Sequence, residues 1–446
     1  MSDYKLSKYN FFKQFDDNTY VCCNLVEKVF FGLSSTKYHQ LITNSDNLSI
    51  VREENPHLFS AMQKLGIIVD TKINETNKII LRHREQIYNN QTYRMTIMPT
   101  LDCNFNCWYC YEEHPRDIMS DKTQKAIVKY VIRTLDETRP KLFSLDWFGG
   151  EPLMAFDNVV YTISSKIKNE CAKRNIPFSN GITTNGALIT RAMCKKLNHI
   201  ALTSYQITLD GSETFHNQVK KAEPQRNEYR NILSVLQYLC DSIDNIKLLV
   251  RINYSPKNID SVYDIITDLP NIVRDKAIIS FQQVWQTQNE QMDEKIRLII
   301  DEFTRNGFNV EKPNIENSFY KCYADVKNQI VIAPNGNIFK CTARDFINEE
   351  PDGRLMDDGT IKWERTYFNR MCKTTVENEK CQNCKLLPAC WGPCSQKLLD
   401  YRPCEFEKIC NYMGIEKTIE NMMSDFYKLR IRHEDKITHS NGKNNG

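Results

Sequence analysis

Hydrophobic and polar positions alternate in blocks through the middle of the chain. Between Tyr93 and about Gly307, short apolar β-prone runs are separated by longer amphipathic stretches, such as Ser120–Thr138. A strand followed by a helix, repeated several times, predicts parallel strands joined by crossover helices. The predicted strands are Tyr93–Met98, Leu142–Phe148, Phe178–Thr183, Ser204–Leu209, Ile246–Asn253 and Ala277–Val284. Six strands are too few to close an eight-stranded barrel.

The region before this block, residues 1–90, has a different pattern. Its predicted elements are the strands Tyr9–Phe15 and Thr19–Cys23, the helices Ser35–Ile42 and Asn55–Leu65, and the strand Gly66–Asp70. Asp17 and Asn18 supply the turn between the first two strands. Strands followed by small helices and a closing strand favour a small winged-helix-like domain.

Composition narrows the class of protein. A chain of 446 residues predicts two or three domains, and a net charge of +3 with no basic stripe argues against a nucleic-acid partner. The sequence has no stretch of membrane-spanning length and no signal-peptide pattern, so we expect a cytoplasmic protein without membrane contact. Seventeen cysteines in such a chain favour metal ligation in a reducing compartment over disulfides.

The first cysteine group lies directly after the first strand of the alternating block. Cys103, Cys107 and Cys110 fall within eight residues, behind a proline, Pro99, that ends the strand. Three thiolates can hold three corners of a cuboidal iron–sulfur cluster and leave the fourth iron open to a small molecule. A zinc site would need four ligands, usually as two spaced pairs, and no partner pair follows within the next ~200 residues. Packing of small hydrophobic residues is the remaining alternative.

A second group of cysteines lies in the C-terminal third. Apolar runs Gln329–Ala333 and Asn337–Lys340 flank an Asn-Gly pair, which predicts a β-hairpin that brings Cys322 and Cys341 toward one end. A dense segment follows, with cysteines at positions Cys381, Cys384, Cys390, Cys394, Cys404 and Cys410. By itself this segment could also be a double-zinc ribbon.

The C-x3-C-x2-C spacing, with Tyr109 just before the last cysteine, resembles the radical S-adenosylmethionine (SAM) family. The resemblance implies a partial (β/α)6 TIM-like barrel of the α/β class. It also implies that SAM chelates the open iron. An electron from the cluster then cleaves the sulfonium to give a 5′-deoxyadenosyl radical.

The ends of the next strands carry further parts of the resemblance. Gly149, Gly150, Glu151 and Pro152 match the family's GGEP motif, whose backbone binds the amino group of SAM. Segments that line the SAM ribose and the substrate cavity correspond here to those containing Asn185, Thr208 and Asp210, with Arg251 and Asn253 as similar candidates. Polar residues before glycine are also ordinary turn formers. The chain shows no obvious cation for the SAM carboxylate.

The C-terminal cysteines, in their full order, resemble the SPASM domain of radical SAM enzymes. The resemblance implies two auxiliary 4Fe–4S clusters, and therefore three clusters in all. Cys322, Cys341 and Cys394 would ligate the first, which would have an open iron for a substrate thiolate or would borrow Cys404 or Cys372. The second would be ligated by Cys381, Cys384, Cys390 and Cys410, with Cys404 as the alternative last ligand.

These patterns divide the chain into five parts. They are a small N-terminal domain at 1–90, a radical SAM partial barrel at 91–309, a SPASM domain at 310–411, a C-terminal helix at 412–434 and a disordered tail at 435–446. In peptide-modifying radical SAM enzymes a comparable N-terminal domain grips the leader of a precursor peptide by strand addition. An extension that only covers the barrel is the alternative.

The function that follows is that of a radical SAM peptide maturase, an oxidoreductase that forms a thioether or C–C cross-link in a ribosomally made peptide. A peptide with a leader sequence and a reductant such as flavodoxin or ferredoxin are the expected partners. An anaerobic sulfatase-maturing enzyme, which makes formylglycine, is one alternative. Those enzymes carry an aspartate where this chain has Thr342, and they commonly lack the N-terminal extension. A non-catalytic iron–sulfur protein that binds peptides or carries electrons is the other, but the intact cysteine trio argues against it.

Overall fold

The structure, a computed structural model, describes residues 3–220, 226–287, 292–311, 322–372, 375–400 and 406–441, with side chains described as far as residue 429. The strands are β1 Tyr4–Leu6, β2 Asn10–Gln14, β3 Thr19–Asn24, β4 Val29–Ser34, β5 Ile68–Asp70, β6 Thr92–Ile97, β7 Leu142–Trp147, β8 Phe178–Thr184, β9 Leu202–Leu209, β10 Lys247–Tyr254, β11 Ala277–Gln283, β12 Asn309–Val310, β13 Gln329–Ile332, β14 Asn337–Phe339, β15 Gly353–Leu355 and β16 Ile361–Trp363.

The α-helices follow the amphipathic stretches between these strands. They are α1 Ser35–Thr43, α2 Ser49–Glu54, α3 Pro56–Lys64, α4 Glu75–Ile87, α5 Asp121–Thr138, α6 Thr162–Lys173, α7 Cys194–His199, α8 Glu213–Lys220, α9 Glu228–Ser242, α10 Asp264–Asp268, α11 Asn271–Lys276, α12 Asp293–Arg305, α13 Arg365–Cys372, α14 Glu379–Asn383, α15 Leu387–Cys390, α16 Ser395–Asp400, α17 Phe406–Ile409 and α18 Tyr412–Asn441. No helix in the described part of the chain is long and apolar enough to cross a membrane.

The chain forms two compact units. The sheet unit comprises Asn89–Lys312 and Lys327–Asn369, and the terminal unit comprises Met1–Tyr88, Pro313–Val326 and Arg370–Gly446. The terminal unit therefore joins both ends of the chain with part of the predicted SPASM region.

The sheet unit contains an eleven-stranded mixed sheet in the order β12-β11-β10-β9-β8-β7-β6-β13-β14-β15-β16. Neighbours from β6 through β12 are parallel, and β13 also lies parallel to β6. Strands β13 to β16 pair antiparallel. The predicted hairpin after Cys322 is thus present, and it extends the parallel sheet instead of standing alone.

Side chains alternate between two faces of this sheet, as strand geometry requires. On β10, Val250 and Ile252 are fully buried in the same core as Ile232 and Leu236 of α9. Burial of each such side chain stabilises the fold by about 1.5–3 kcal/mol. Arg251, which lies between these two residues, points to the opposite, polar face of the sheet.

The terminal unit is built on the three antiparallel strands β2-β3-β4 and a smaller pair, β1 and β5. Adjacent cysteines of β3 serve opposite faces: Cys22 packs in one core with Leu41 and Phe59, and Cys23 in another with Trp391 and Ile419. The two thiols therefore point to opposite faces of the strand. Helix α18 lies on the second core, where Tyr427 stacks on Phe15 at 4.7 Å between ring centroids.

The predicted α/β class is confirmed, and each strand of the alternating block begins and ends within two residues of its predicted position. Four short elements of the N-terminal region, β1, β4, α2 and α4, were not predicted. The C-terminal helix extends to Asn441, beyond the predicted end at 434, into the stretch expected to be disordered. The domain boundaries, the winged-helix-like domain and the SPASM domain stay predictions.

Candidate active site

The three cysteines of the first group lie on a loop at the carboxyl end of β6. Cys103 and Cys107 are half-buried and Cys110 is exposed. The Phe105 amide donates to Cys103 Sγ at 3.4 Å, and the Cys110 amide donates to the Cys107 carbonyl at 3.0 Å. These two hydrogen bonds tighten the loop locally, and the three cysteines therefore lie within one compact loop.

The thiols of this loop are electrostatically coupled. Burial raises the pKa of Cys103 to about 12; the Phe105 amide opposes this, and the charges of Glu151, Cys107 and Cys110 add to it. Thiolates that repel one another in this way need a cation to stay ionised together, which fits iron ligation. Among the described residues, no three His, Cys, Asp or Glu side chains surround a single metal position. In a cubane cluster each cysteine ligates a different iron.

Two glycines after β7 lie directly against this loop. A Cβ on Gly150 would come within 2.1 Å of the Asp102 carbonyl oxygen, and one on Gly149 within 2.5 Å of the Thr100 carbonyl oxygen. Gly149 also has φ +104°, which L side chains rarely adopt. Only glycine therefore lets the backbone approach the cysteine loop here, and the Glu151 amide completes the contact by donating to the Asp102 carbonyl at 2.8 Å.

The side chain of Glu151 is fully buried, and its oxygens accept hydrogen bonds from within the chain. Oε1 accepts from the Leu153 amide at 2.9 Å and from Thr184 Oγ1 at 2.8 Å, and Oε2 accepts from the Asn185 amide at 2.8 Å. Burial raises the pKa of this carboxyl group, and the hydrogen bonds oppose the shift. Glu151 thus ties the ends of β7 and β8 together.

Two more predicted residues complete this side of the site. Pro152 is buried in the turn of 3-10 helix that follows Glu151. Asn185 donates from Nδ2 to Asn104 Oδ1 at 2.8 Å, and the same nitrogen lies 4.0 Å from Cys103 Sγ. The structure therefore brings the end of β8 into contact with the cysteine loop.

A buried ion pair lies at the end of β9. Lys220 Nζ is 2.9 Å from Asp210 Oδ2, and both side chains are at most 3 % exposed. Tyr109 donates from its hydroxyl to Asp210 Oδ1 at 2.6 Å and accepts from Asn253 Nδ2 at 3.1 Å. Burial works against both charges, but the Lys220 ammonium holds the pKa of Asp210 below its usual value. Asp210 in turn raises the pKa of Lys220 well above normal.

The sequence singled out Asp210 and Tyr109 but left Lys220 without a role. His216 and Lys220 are four residues apart on α8, and both are buried, so they share the inner face of that helix. A histidine and a lysine four residues apart, directly after Asp210-Gly211, are the sequence pattern that could have identified Lys220 as a site residue. Thr208 lies on β9 opposite Arg251 of β10.

A third loop reaches the cysteine loop from the antiparallel part of the sheet. The Tyr111 hydroxyl donates to the Thr342 carbonyl at 3.1 Å. Thr342 follows Cys341, whose sulfur accepts from the Ala343 amide at 3.4 Å. One predicted auxiliary ligand is therefore placed next to the predicted SAM-cluster loop.

The remaining predicted ligands belong to the terminal unit. Burial raises the pKa of Cys390 to about 11, and the charges of Cys381, Cys410 and Cys384 add to this. Cys384 Sγ accepts from the Leu386 amide at 3.4 Å. Cys404 lies outside the described residues, and the choice of Cys410 as the last ligand stays a prediction. Cys322 and Cys394 are exposed, and their role as ligands stays a prediction.

Comparison with known proteins agrees with this geometry. Residues 97–269 match the model of the Radical SAM superfamily. The radical SAM cyclopropyl synthase TigE of Paramaledivibacter caminithermalis is 24% identical, over 96% of this chain and 94% of its own.

Solved structures are similar in fold. Streptococcus suis SuiB, bound to its precursor peptide SuiA, superposes with a TM-score of 0.51 at 16% identity, over 90% of this chain and 98% of its own. The enzyme anSMEcpe, with bound AdoMet and the Kp18Cys peptide, has a TM-score of 0.57 at 16% identity, over 77% of this chain and 99% of its own.

Proposed function

The chain is a radical SAM enzyme, and on that premise we propose that it is a maturase that forms a C–C bond in a ribosomally made peptide. The full-length relative TigE is named a cyclopropyl synthase, which favours a C–C bond over the thioether that the cysteine pattern equally allows. SuiB and anSMEcpe were both solved with peptides, which supports a peptide substrate.

The contact between Tyr111 and Thr342 carries the proposal. It places Cys341, a ligand in the proposed first auxiliary cluster, beside the loop that would hold SAM. A new bond between two groups of the peptide replaces one hydrogen on each group, so the peptide loses two hydrogens. One leaves as a hydrogen atom and the other as a proton and an electron, so an electron acceptor next to the reaction site is what this chemistry requires.

The residues of the site fit a 4Fe–4S cluster and SAM. Cys103, Cys107 and Cys110 would hold the cluster, and the backbone of Gly149 and Gly150 would meet the methionyl group. When bound, the pair supplies a 5′-deoxyadenosyl radical that takes a hydrogen atom from the peptide.

The protein itself positions and shields these groups. Glu151 fixes the glycine turn through three hydrogen bonds, and the Asp210–Lys220 pair holds the Tyr109 ring in place. The peptide radical, on bonding to a second peptide carbon, must lose a proton to solvent or a base and also an electron. An auxiliary cluster that Cys341 would help to hold would accept this electron, and its return to a cluster held by Cys103, Cys107 and Cys110 would make the cycle redox-neutral.

The terminal unit would take the leader and the second auxiliary cluster. The sheet order β2-β3-β4 leaves β2 and β4 as edge strands, and a leader can add to such an edge by main-chain hydrogen bonds. Cys381, Cys384, Cys390 and Cys410 are the proposed second set. The sulfatase-maturing alternative is weaker, because Thr342 cannot act as the aspartate base of those enzymes.

Anaerobic co-expression with small peptides encoded beside the gene tests the proposal. The expected product is a peptide lighter by two hydrogen atoms, with a new C–C bond in its fragmentation spectrum. The Cys103→Ala variant should leave the peptide unmodified. Formylglycine on a sulfatase peptide, or no mass change in any co-expressed peptide despite SAM cleavage, would contradict it.

A further inference from the structure

Arg251 presents an unused guanidinium group on the polar face of the sheet. Its Nε donates to Asn253 Oδ1 at 3.0 Å, which holds the side chain against β10. In the described part of the chain, neither Nη atom makes a hydrogen bond, and no carboxylate lies within the 4.0 Å of an ion pair. The paired N–H groups of an arginine side chain match the two oxygens of a carboxylate.

Burial of the Arg251 guanidinium group without an anionic partner costs free energy. Arg251 is half-buried, and its pKa is lowered by burial, against the charges of Tyr109, Tyr111 and Asp210. The Asp210 carboxylate does not supply the missing charge because Lys220 already pairs with it at 2.9 Å. Within the described residues, no carboxylate therefore forms an ion pair with Arg251, which lies near the cysteine loop.

An exposed aromatic surface lies at the carboxyl ends of the strands, where the charge of Tyr111 also acts on Arg251. The rings of Tyr111 and Trp285 stack with centroids 6.1 Å apart and planes at 16°, yet 46% and 59% of the two residues remain exposed. Gln286 Nε2 donates to the Tyr109 carbonyl at 3.0 Å, which fixes the loop after β11 to the cysteine loop. Two large rings held this way at the strand ends form a surface suited to an apolar or aromatic side chain.

We propose that Arg251 binds a carboxylate of the substrate peptide, and that Tyr111 and Trp285 hold an apolar or aromatic residue next to it. This makes Arg251 a specificity-determining residue for peptides with an acidic residue beside an apolar one. The inference rests on the proposed function, since it assumes a peptide substrate.

The carboxylate of SAM is the other source of the same chemistry. Lys220 is buried and already paired with Asp210 at 2.9 Å, so its presence does not decide between the two sources. The SAM affinity of an Arg251 variant distinguishes them.

The test is binding of two labelled, amidated pentapeptides, Gly-Asp-Phe-Gly-Gly and Gly-Asn-Phe-Gly-Gly, to the full-length, anaerobically reconstituted protein with saturating SAM. Fluorescence anisotropy should give a Kd about tenfold lower for the Asp peptide, since hydrogen bonds to charged groups are the strong ones. Arg251→Met should abolish the difference, and Arg251→Lys should keep part of it. Trp285→Ala should weaken both peptides alike.

The matched control is Arg191→Met, which removes an exposed arginine near Asp241 and should change neither Kd. Equal affinities of the native protein for the two peptides would overturn the proposal. So would an Arg251→Met variant that keeps the preference but binds SAM about tenfold more weakly, because the carboxylate would then be that of SAM. An aspartate preference without any modified peptide on co-expression would overturn the maturase proposal alone.

Discussion

The two cysteine sites of this chain differ in how they are joined to a hydrophobic core. Cys103, Cys107 and Cys110 lie on a loop at the strand ends, against glycines and polar side chains, and Cys110 is exposed. The Cys381–Cys410 segment lies between short helices, and its Cys381 is buried in one core with Val26 of the N-terminal region and Met423 of the last helix.

The difference shows which site can exchange ligands. A site on an open loop lets a small molecule reach the metal. A site with one ligand in a hydrophobic core shares its stability with that core, as the second set does through Cys381, although its Cys410 is exposed. We therefore expect substitutions in the first site to abolish activity without unfolding the protein. Substitutions in the second should act on stability.

The largest effect is expected from Cys103, Cys107 and Cys110 changed together to Ala. SAM cleavage should be lost, and iron should fall by about four atoms per chain, because one cubane cluster is removed. The thermal unfolding midpoint should stay within a few degrees of the native value. A large loss of stability would mean that the loop is not the open site described above.

Cys390→Ala should affect stability more than any single substitution in the loop. Cys390 is half-buried between the core residues Ala389 and Trp391. Loss of a cluster ligand there should remove about four irons and lower Tm by roughly 5–10 °C, which corresponds to about 2–3 kcal/mol in a domain of this size. Calorimetry and iron analysis on the same sample measure both.

The pair Cys410→Ala and Cys404→Ala sharpens this comparison. Since the charge of Cys410 acts on Cys390, the first variant should behave like Cys390→Ala and the second like the native protein. The reverse result would make Cys404 the fourth ligand.

Asp210→Asn tests whether the ion pair between Asp210 and Lys220 stabilises the first cysteine site. It leaves the Lys220 ammonium buried without its partner, and breaking such a pair costs about 3–5 kcal/mol. Urea unfolding should show this loss, and the double variant Asp210→Asn with Lys220→Met should recover much of it. If the single variant stays within about 0.5 kcal/mol of native, the pair does not stabilise the site.

Cys372→Ser should have the smallest effect. Cys372 is exposed at the end of α13, and exposed positions usually change stability by less than about 0.5 kcal/mol. Iron content should equal that of the native protein. A loss of iron would instead make Cys372 the ligand that the first auxiliary cluster borrows.

Local patterns predicted the sheet and the first site well. Each strand of the alternating block is a short β-prone run, and the motifs at Cys103 and Gly149 follow such runs, so the parallel order of the strands brings them together. Contacts between distant segments left no such signal. The pairing of β13 with β6 depends on how the whole chain packs.

The N-terminal region was predicted less completely for a related reason. Strand β4, at Val29–Ser34, follows two strands that already form a hairpin pattern, so the sequence does not call for a third strand. Helix α4 has few apolar residues to mark it as a helix. Both are stabilised by partners far along the chain: Ile79 of α4 shares its core with Val376, and Phe30 of β4 stacks on Phe426 at 6.1 Å. A prediction based on a few neighbouring residues cannot detect partners that lie so far along the chain.

The division of the terminal unit between both chain ends has a consequence during synthesis. Its N-terminal strands emerge from the ribosome first, but the core that covers them includes residues from Val376 onward. At about 5–20 residues per second, roughly 15–60 s pass between the two events. During that time the nascent strands have an incomplete core and unpaired edges, and a chaperone is the natural protector of such a surface.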